Sequence, residues 1–340
     1  MPVAVAGNAF NVGIDRQSGE GTIAFGTADY SMAVYEATID PVESLNRIEV
    51  TDANSIIGDP YKGPQSWTAS WSHPAYAASL GAEIQAFCST DTNTGTASPY
   101  SHVFTGMGGT QPWISVYKDF TNASDGAFVF ADGLCTSLGF SATREGGPLR
   151  VSFAAVGKTA HKVDWTATTA DDLTDGYFQL QATGAKIELD VDTADSNPST
   201  QPEKISAFDL TVSRDVTPEP VVDAFAVNTL SQGRVSFTGS MEWLYSSLDA
   251  YRSTYFGAVA GTAASSTIVY GALELTAKHS SDANASLAIY VPKVAFRVGN
   301  LSPNTSGEAL KLPITMEVAK PSSGEHIQFT LLNAVSASYD

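Results

Sequence analysis

A mainly β fold arranged as two tandem copies of one domain is what the sequence predicts, and three observations carry that reading. Short runs that alternate apolar with polar residues, or that are rich in β-branched residues, recur through all 340 positions and are bounded by Gly, Asn, Asp and Pro. Clear helical spacing is confined to one stretch. The order of elements in the second half repeats that of the first at a displacement of about 170 residues.

The first half reads as strands at 21–25, 31–38, 47–50, 134–142 and 149–156. The second reads as strands at 177–181, 185–191, 207–212, 234–241, 267–275, 286–298 and 310–318. At 242–256 the pattern changes: Leu244, Leu248 and Tyr251, with Trp243 and Tyr255, recur at helical spacing and predict a short amphipathic helix. Residues 194–203 have no periodicity and almost no apolar side chains, so they belong to an acidic connector over 190–203. The predicted boundary falls between about 160 and 203, giving domains at 1–165 and 166–340. Roughly 100–200 residues per domain fits that division.

The repeat is clearest in one motif. Gly63, Ser66, Trp67, Thr68, Ala69, Ser70 and Trp71 line up with Gly233, Ser236, Phe237, Thr238, Gly239, Ser240 and Met241, a shift of 170. Around it, 47–50 is matched with 209–212, 21–38 with 177–191, and 76–80 with the start of the helix at 245–248. The closing pair 134–142 and 149–158 is matched with 288–298 and 310–320. The first copy carries an extra segment, 88–111, rich in Ser, Thr and Gly, which is expected to project as a long loop.

Composition narrows the function. Asp+Glu number 36 against 18 Lys+Arg, giving a formal charge of -18, with 43% apolar and 16% charged residues. The apolar content suffices to fill two cores and excludes general disorder. Residues 1–170 hold 16 acids and 8 bases, and the rest hold 20 and 10, so the acidity is no tail. Proteins that grip nucleic acid neutralise phosphates with clustered Lys and Arg, which this chain lacks. Passive contact with DNA stays open. Cys88 and Cys135 are too few for a disulfide framework and have no zinc spacing, so they read as buried or idle thiols in preference to a bridge. The opening residues lack a signal-peptide pattern and no run of 18 apolar residues occurs, so the expectation is a protein assembled in a cytoplasm with no membrane partner.

Catalytic signatures are sparse in the sequence. Gly157, Lys158 and Thr159 match the end of a phosphate loop, but Ser152 stands where its first glycine belongs. Asp190, Asp192 and Asp195 hint at a calcium loop, yet Asp195 replaces the required Gly and Gln201 the terminal Glu, so a solvated linker is the better reading. The histidines His73, His102, His161, His279 and His326 stand singly and read as surface or packing residues. Trp67, Trp71, Trp113 and Trp243 fit cores and subunit contacts, with a carbohydrate platform as the competitor. No catalytic residue, cofactor or metal ligand is predicted.

Several segments resemble the major tail tube proteins of long, non-contractile-tailed bacteriophages (siphophages). Residues 126–142 followed by 149–158, with Asp132, Gly157 and Lys158, resemble that family's closing strands, and 287–296 followed by 310–319 offer a second set. Residues 10–27, with Gly19 and Gly21, resemble its arm and first strand. The resemblance implies β-sandwich or barrel domains, each with a flanking helix, in rings stacked around a DNA channel. Two domains per chain resemble the duplicated members, in which three chains, in place of six, make a pseudo-sixfold ring. The implied partners are other copies of the chain, a tape measure protein, tail tip and terminator proteins, and genomic DNA passing without specific binding. Residues 1–14 and 88–111 are expected to contact neighbouring subunits. An acidic lumen with few Lys or Arg beside its carboxylates is expected to repel DNA. The competing function is a β-sandwich module binding glycan or protein, as a virion decoration or adhesin; an enzyme ranks last.

Overall fold

The computed structural model describes residues 10–23, 28–43, 45–47, 60–120, 127–143, 146–163, 170–190, 193–198, 205–222, 224–244, 249–299 and 311–339. In the first half the strands are β1 (Phe10–Arg16), β2 (Tyr30–Met32), β3 (Glu36–Val42), β4 (Leu45–Arg47), β5 (Pro60–Lys62) and β6 (Ser66–Pro74). Helix α1 (Leu80–Phe87) follows, then β7 (Thr90–Thr94), β8 (Tyr100–Thr105), β9 (Ile114–Phe120), β10 (Ala127–Thr143) and β11 (Arg150–Val163). The second half has β12 (Phe178–Gln179), β13 (Lys186–Asp190), β14 (Ile205–Glu219) and β15 (Thr229–Leu244). Helix α2 (Asp249–Phe256) comes next, then β16 (Tyr270–His279), β17 (Ser286–Val298), β18 (Lys311–Val318) and β19 (Gln328–Asn333).

Apart from the small β4–β5 pair, these strands join one antiparallel sheet. Its first run is β3-β6-β11-β10-β9-β1, with β2 added beyond β1. The second run is β14-β15-β18-β17-β16-β13. The two orders coincide strand for strand, and a helix follows the second strand of each, α1 after β6 and α2 after β15. The runs join where the C-terminal part of β10 leaves β9 and pairs with β14, from Ser137 opposite Ser213 to Thr143 opposite Ala207.

Alternation decides which side of each strand is buried. On β6, Trp67, Ala69 and Trp71 point inward while Thr68 and Ser70 are exposed; on β18, Leu312, Ile314 and Met316 are buried between exposed neighbours. The main core draws on both halves, from Val12 to Tyr339. Trp67 is fully buried in it: its indole N–H donates to the Ala131 carbonyl at 2.7 Å, and its ring stands edge-on to Phe130. The backbones of Gly133 and Gly157 pass so close that a Cβ on either would lie 2.5 Å or 2.2 Å from the indole.

Three expectations need correction. The segment 88–111 is no projecting loop: β7 and β8 form a hairpin, and β8 pairs with β19 at the other end of the chain. Its alternating His102 and Phe104, with Cys88 and Met107, supply enough apolar surface to be buried, so only the tip stands out. The helix expected at 242–256 is confined to Asp249–Phe256, because Glu242, Trp243 and Leu244 complete β15 and pair with β18; 245–248 lie outside the described residues. The strand that flanks β6 as β14 flanks β15 is β3, which takes the place expected for 47–50; Arg47 ends β4, and 48–50 lie outside the described residues. Residues 1–9 of the expected arm lie outside the described residues, and 10–14 are part of β1.

Asp15 of β1 is almost fully buried and accepts the Asp29 N–H. Burial pushes its carboxyl up to about 6, against smaller opposing effects of hydrogen bonds from Asp29 and Tyr117. Because the folded pKa lies above the unfolded one, the native state holds the extra proton between about pH 4 and 6, and its stability falls as pH rises through that window. Asp15→Asn is therefore expected to raise stability above pH 6 by up to about 3 kcal/mol and to give no gain below pH 4, read from denaturant midpoints at both ends. Gly157→Ala is expected to cost about 1–3 kcal/mol, because the new methyl overlaps the Trp67 ring; tryptophan-monitored unfolding measures it.

Candidate functional site

The outer face of the eight strands β3-β6-β11-β10-β14-β15-β18-β17 is the candidate site, since it joins both halves and is left open among the described residues. Its side chains are the outward set of each alternation. The first half contributes Ser66, Thr68 and Ser70 from β6, Ser152 from β11, and Ser137, Ser141 and Thr143 from β10. The second contributes Thr211 and Ser213 from β14, Ser236, Thr238 and Ser240 from β15, and Thr315 from β18. Facing hydroxyls meet directly across the joint strands, as in the 2.7 Å contact between Ser213 and Ser236. Two depressions of about 500 and 560 Å³ dish this face, one lined by Glu36, Thr38, Ser70, Ser137, Arg150 and Ser152, the other by Thr68, Val156, Val216 and Pro218 among others.

Charge on the face is sparse and partly cancelled. Outward carboxylates are Glu36, Asp40, Asp209, Glu242 and Glu317, with Asp215 exposed at the β14 bulge; outward cations are Arg150, Lys162, Arg234, Lys293, Arg297 and Lys311. Arg150 reaches Glu36 at 2.6 Å and Ser72 at 2.7 Å, and Lys311 reaches Glu242 at 2.6 Å. Lys118 lies 3.5 Å from Asp40. Burial raises the Asp209 carboxyl above its ordinary range, which lowers its charge further toward acid pH. A face of unaccompanied carboxylates, the arrangement expected from net charge, is not what this sheet carries. It is a hydroxyl-rich surface on which acidic and basic side chains nearly balance.

The residues singled out in the sequence lie elsewhere and mostly inside. His73 and the Trp71 indole both bond the buried carboxylate of Glu83 on α1, at 2.8 and 2.7 Å. His102 spans Asp91 and the Val335 carbonyl, each at 2.9 Å. Burial opposes protonation of His102, but these two acceptors outweigh it and raise its pKa. His279 is buried against Phe178, and His326 stacks on Phe237. Trp113 and Trp243 are half-buried, the former under the Lys158 ammonium at 5.0 Å. Lys158, at the spurious phosphate-loop match, is buried and bonds Glu20 and the Asn228 carbonyl. Cys88 and Cys135 are free and buried, and burial raises both thiols, keeping them protonated. Among the described residues no three His, Cys, Asp or Glu side chains meet in a metal-binding group, and no helix is long and apolar enough to cross a membrane. Sequence reasoning missed the hydroxyl face, although the Ser and Thr positions of the repeated motif marked it.

Comparison with known proteins adds one finding. A protein family described as phage tail tube protein matches residues 7–318. No curated protein matches the chain.

Exposed hydroxyls that serve only as a surface contribute little to folding. Ser70→Ala and Ser240→Ala are each expected to change stability by less than about 0.5 kcal/mol in denaturant melts.

Proposed function

The chain belongs to the phage tail tube protein family, and on that premise we propose that it polymerises into stacked rings forming the tail tube of a siphophage and conducts DNA during ejection. The hydroxyl-lined face continuous across both halves is the observation that carries this reading: curved round an axis, it supplies a smooth wall. The identical strand orders of the two runs support two tandem domains, at 1–165 and 166–340, joined through β10 and β14. Three such chains then make a ring of six near-equivalent units, closed by heterologous contacts. The role is structural, without enzymatic chemistry. Assembly takes place in the host cytoplasm, around a tape measure protein and ended by tip and terminator proteins, and the tip of the β7–β8 hairpin is available for contact between rings.

A conduit must let a polyanion pass without holding it. Every cation that displaced counterions from phosphate would add salt-dependent retention. Here Arg150 and Lys311 are held by Glu36 and Glu242 within the wall. The outward carboxylates repel DNA at close approach, screened beyond about 8 Å at physiological salt. Hydroxyls keep the surface wet and offer no charge to bind.

Negative-stain microscopy of the purified protein is the decisive experiment. Uniform hollow tubes are expected, whereas a persistent monomer at high concentration would sink the proposal. Ser70→Lys combined with Ser240→Lys places cations at matching positions of the two domains. Tubes of unchanged width are expected, with phage particles that eject DNA more slowly at low salt than at high salt; salt-independent ejection would remove this face from the lumen.

A further inference from the structure

We infer that the groove at Phe128 in the first half is a docking site for a second copy of the chain, filled by the neighbour's segment 257–268. This deepens the tube reading and rests on it. The two halves supply the template, because the matching place in the second half is already filled by a segment of the first.

The groove holds about 510 Å³ and is lined by Ile39 and Pro41 of β3, Phe128 and Phe130 of β10, and Ala160 and Lys162 of β11, among others. Its counterparts are fixed by strand pairing. Phe130 lies opposite Val116 and Gly133 opposite Ile114; Val291 lies opposite Leu273 and Val294 opposite Gly271, the same irregular step at the same place in the two runs. Phe130 therefore corresponds to Val291, and Phe128 to Ile289. Phe128 faces Lys162 of β11 while Ile289 faces Phe329 of β19, so β19 stands where the last part of β11 stands. Ile39 corresponds to Leu210, since they lie opposite Ala69 and Gly239, matching positions of the repeated motif.

The two places differ in what covers them. Ile289, Val291, Phe329 and Leu210 are all buried, whereas Phe128 is 38% exposed. The cover over the second set comes from the first half. β8 pairs with β19 and sets the buried Phe104 opposite Phe329, and Arg214 bonds the carbonyls of Gly109 and the buried Met107. Those residues belong to the segment that follows α1. On the matching side of β11, no strand among the described residues pairs beyond Gly157, and the groove stays open.

The segment that follows α2 is the counterpart of that cover. Residues 257–268 contain no charged side chain, are mostly small, and expose Val259 by 44% and Ile268 by 60%. The first-half cover crosses forward onto the next unit of the same chain. Crossing in the same sense, the second-half segment leaves its chain and meets the first half of the next copy. It is half as long as 88–111, so it brings no hairpin of its own, but each six-residue arm reaches up to about 20 Å. Val259 and Ile268 then stand over Phe128 as Phe104 and Met107 stand over Ile289, and apolar surface exposed on both partners is buried together.

Thiol chemistry tests the contact, and the native Cys88 and Cys135 are buried and do not interfere. Chains carrying Phe128→Cys are assembled together with chains carrying Ile268→Cys, and the tubes are treated with a short bis-maleimide. Denaturing gels are expected to show cross-linked dimers from the mixture and only monomers from either variant assembled alone. Val259→Cys in place of Ile268→Cys reads the same contact a second time. The thiol introduced at 128 is also expected to lose its reactivity toward a monofunctional maleimide on assembly. Tubes that give no mixed dimer with either partner, or in which that thiol reacts as fast as in unassembled protein, overturn the docking and leave the tube reading intact. Wild-type protein that makes no tubes overturns the tube reading and the docking with it.

Discussion

The constraint on which the rest of the structure depends is that β10 must serve two different neighbours along a single strand. Its N-terminal part pairs with β9 and its C-terminal part with β14, while β11 stays beside it throughout. Every buried backbone N–H and C=O needs a partner, so the change of neighbour cannot leave a gap. It is absorbed by irregularities within a few residues: a register shift against β9 between Phe130 and Gly133, a left-handed Asp132 at φ 52°, and a bulge against β11 between Cys135 and Ser137. Bulges bend and twist a strand, and here the bend lets one strand leave one run and enter the next. The Asp132 carboxylate accepts the Gly21 N–H at 2.6 Å, tying the unusual backbone to the segment after β1. Trp67 then fills the space under the turn, which is why glycines stand at 133 and 157.

Buried polar groups fix what apolar packing alone would leave free. Glu83 has no solvent contact, and an unpaired carboxylate there would be costly; Trp71 and His73, two residues apart on the inner face of β6, both bond it and so set the position of α1 on that strand. Asp91 plays the corresponding part for the chain terminus. It accepts His102, the Tyr339 N–H and the Ser338 hydroxyl, while the Tyr339 hydroxyl donates to the Ala78 carbonyl. The last residues of the second half are thereby anchored to the hairpin and helix of the first. A segment read as polar and loose is the clamp for the terminus because its histidine and aspartate are partners in space.

What could be read from the sequence follows the strength of alternation. β11, β14, β15, β17 and β18 were legible because apolar residues recur at every second position along part of each strand. β3 was legible only in part: the strand expected at 31–38 stops short of Ile39–Val42, and β3 has one buried residue, Ile39. The match of 47–50 with 209–212 therefore took a local likeness for the true counterpart. β1, β5 to β9 and β19 were not among the expected strands, although β6 carries the repeated motif; several of them draw meaning from partners far away in sequence. The hydroxyl face was present in the repeated motif without being recognised. In G-x-x-S-aromatic-T-small-S the aromatic and small residues face the core, and the Ser and Thr between them form the open wall.

A wall of hydroxyls also resolves a tension in the charge arithmetic. A chain of net charge -18 could have placed its carboxylates on the continuous face, and that choice would repel DNA most strongly. It would also oppose closure, because carboxylates from neighbouring copies would be brought together as each ring forms and again as rings stack. Ion pairs such as Arg150–Glu36 and Lys311–Glu242, mostly solvent-exposed, add little stability, but in the proposed tube they would cancel charge where copies approach. The cations they use are unavailable to phosphate for the same reason. In the proposed tube, a hydrated face whose charges nearly cancel would meet both demands at once: copies could close around it, and a polyanion inside would meet no dense cluster of cations.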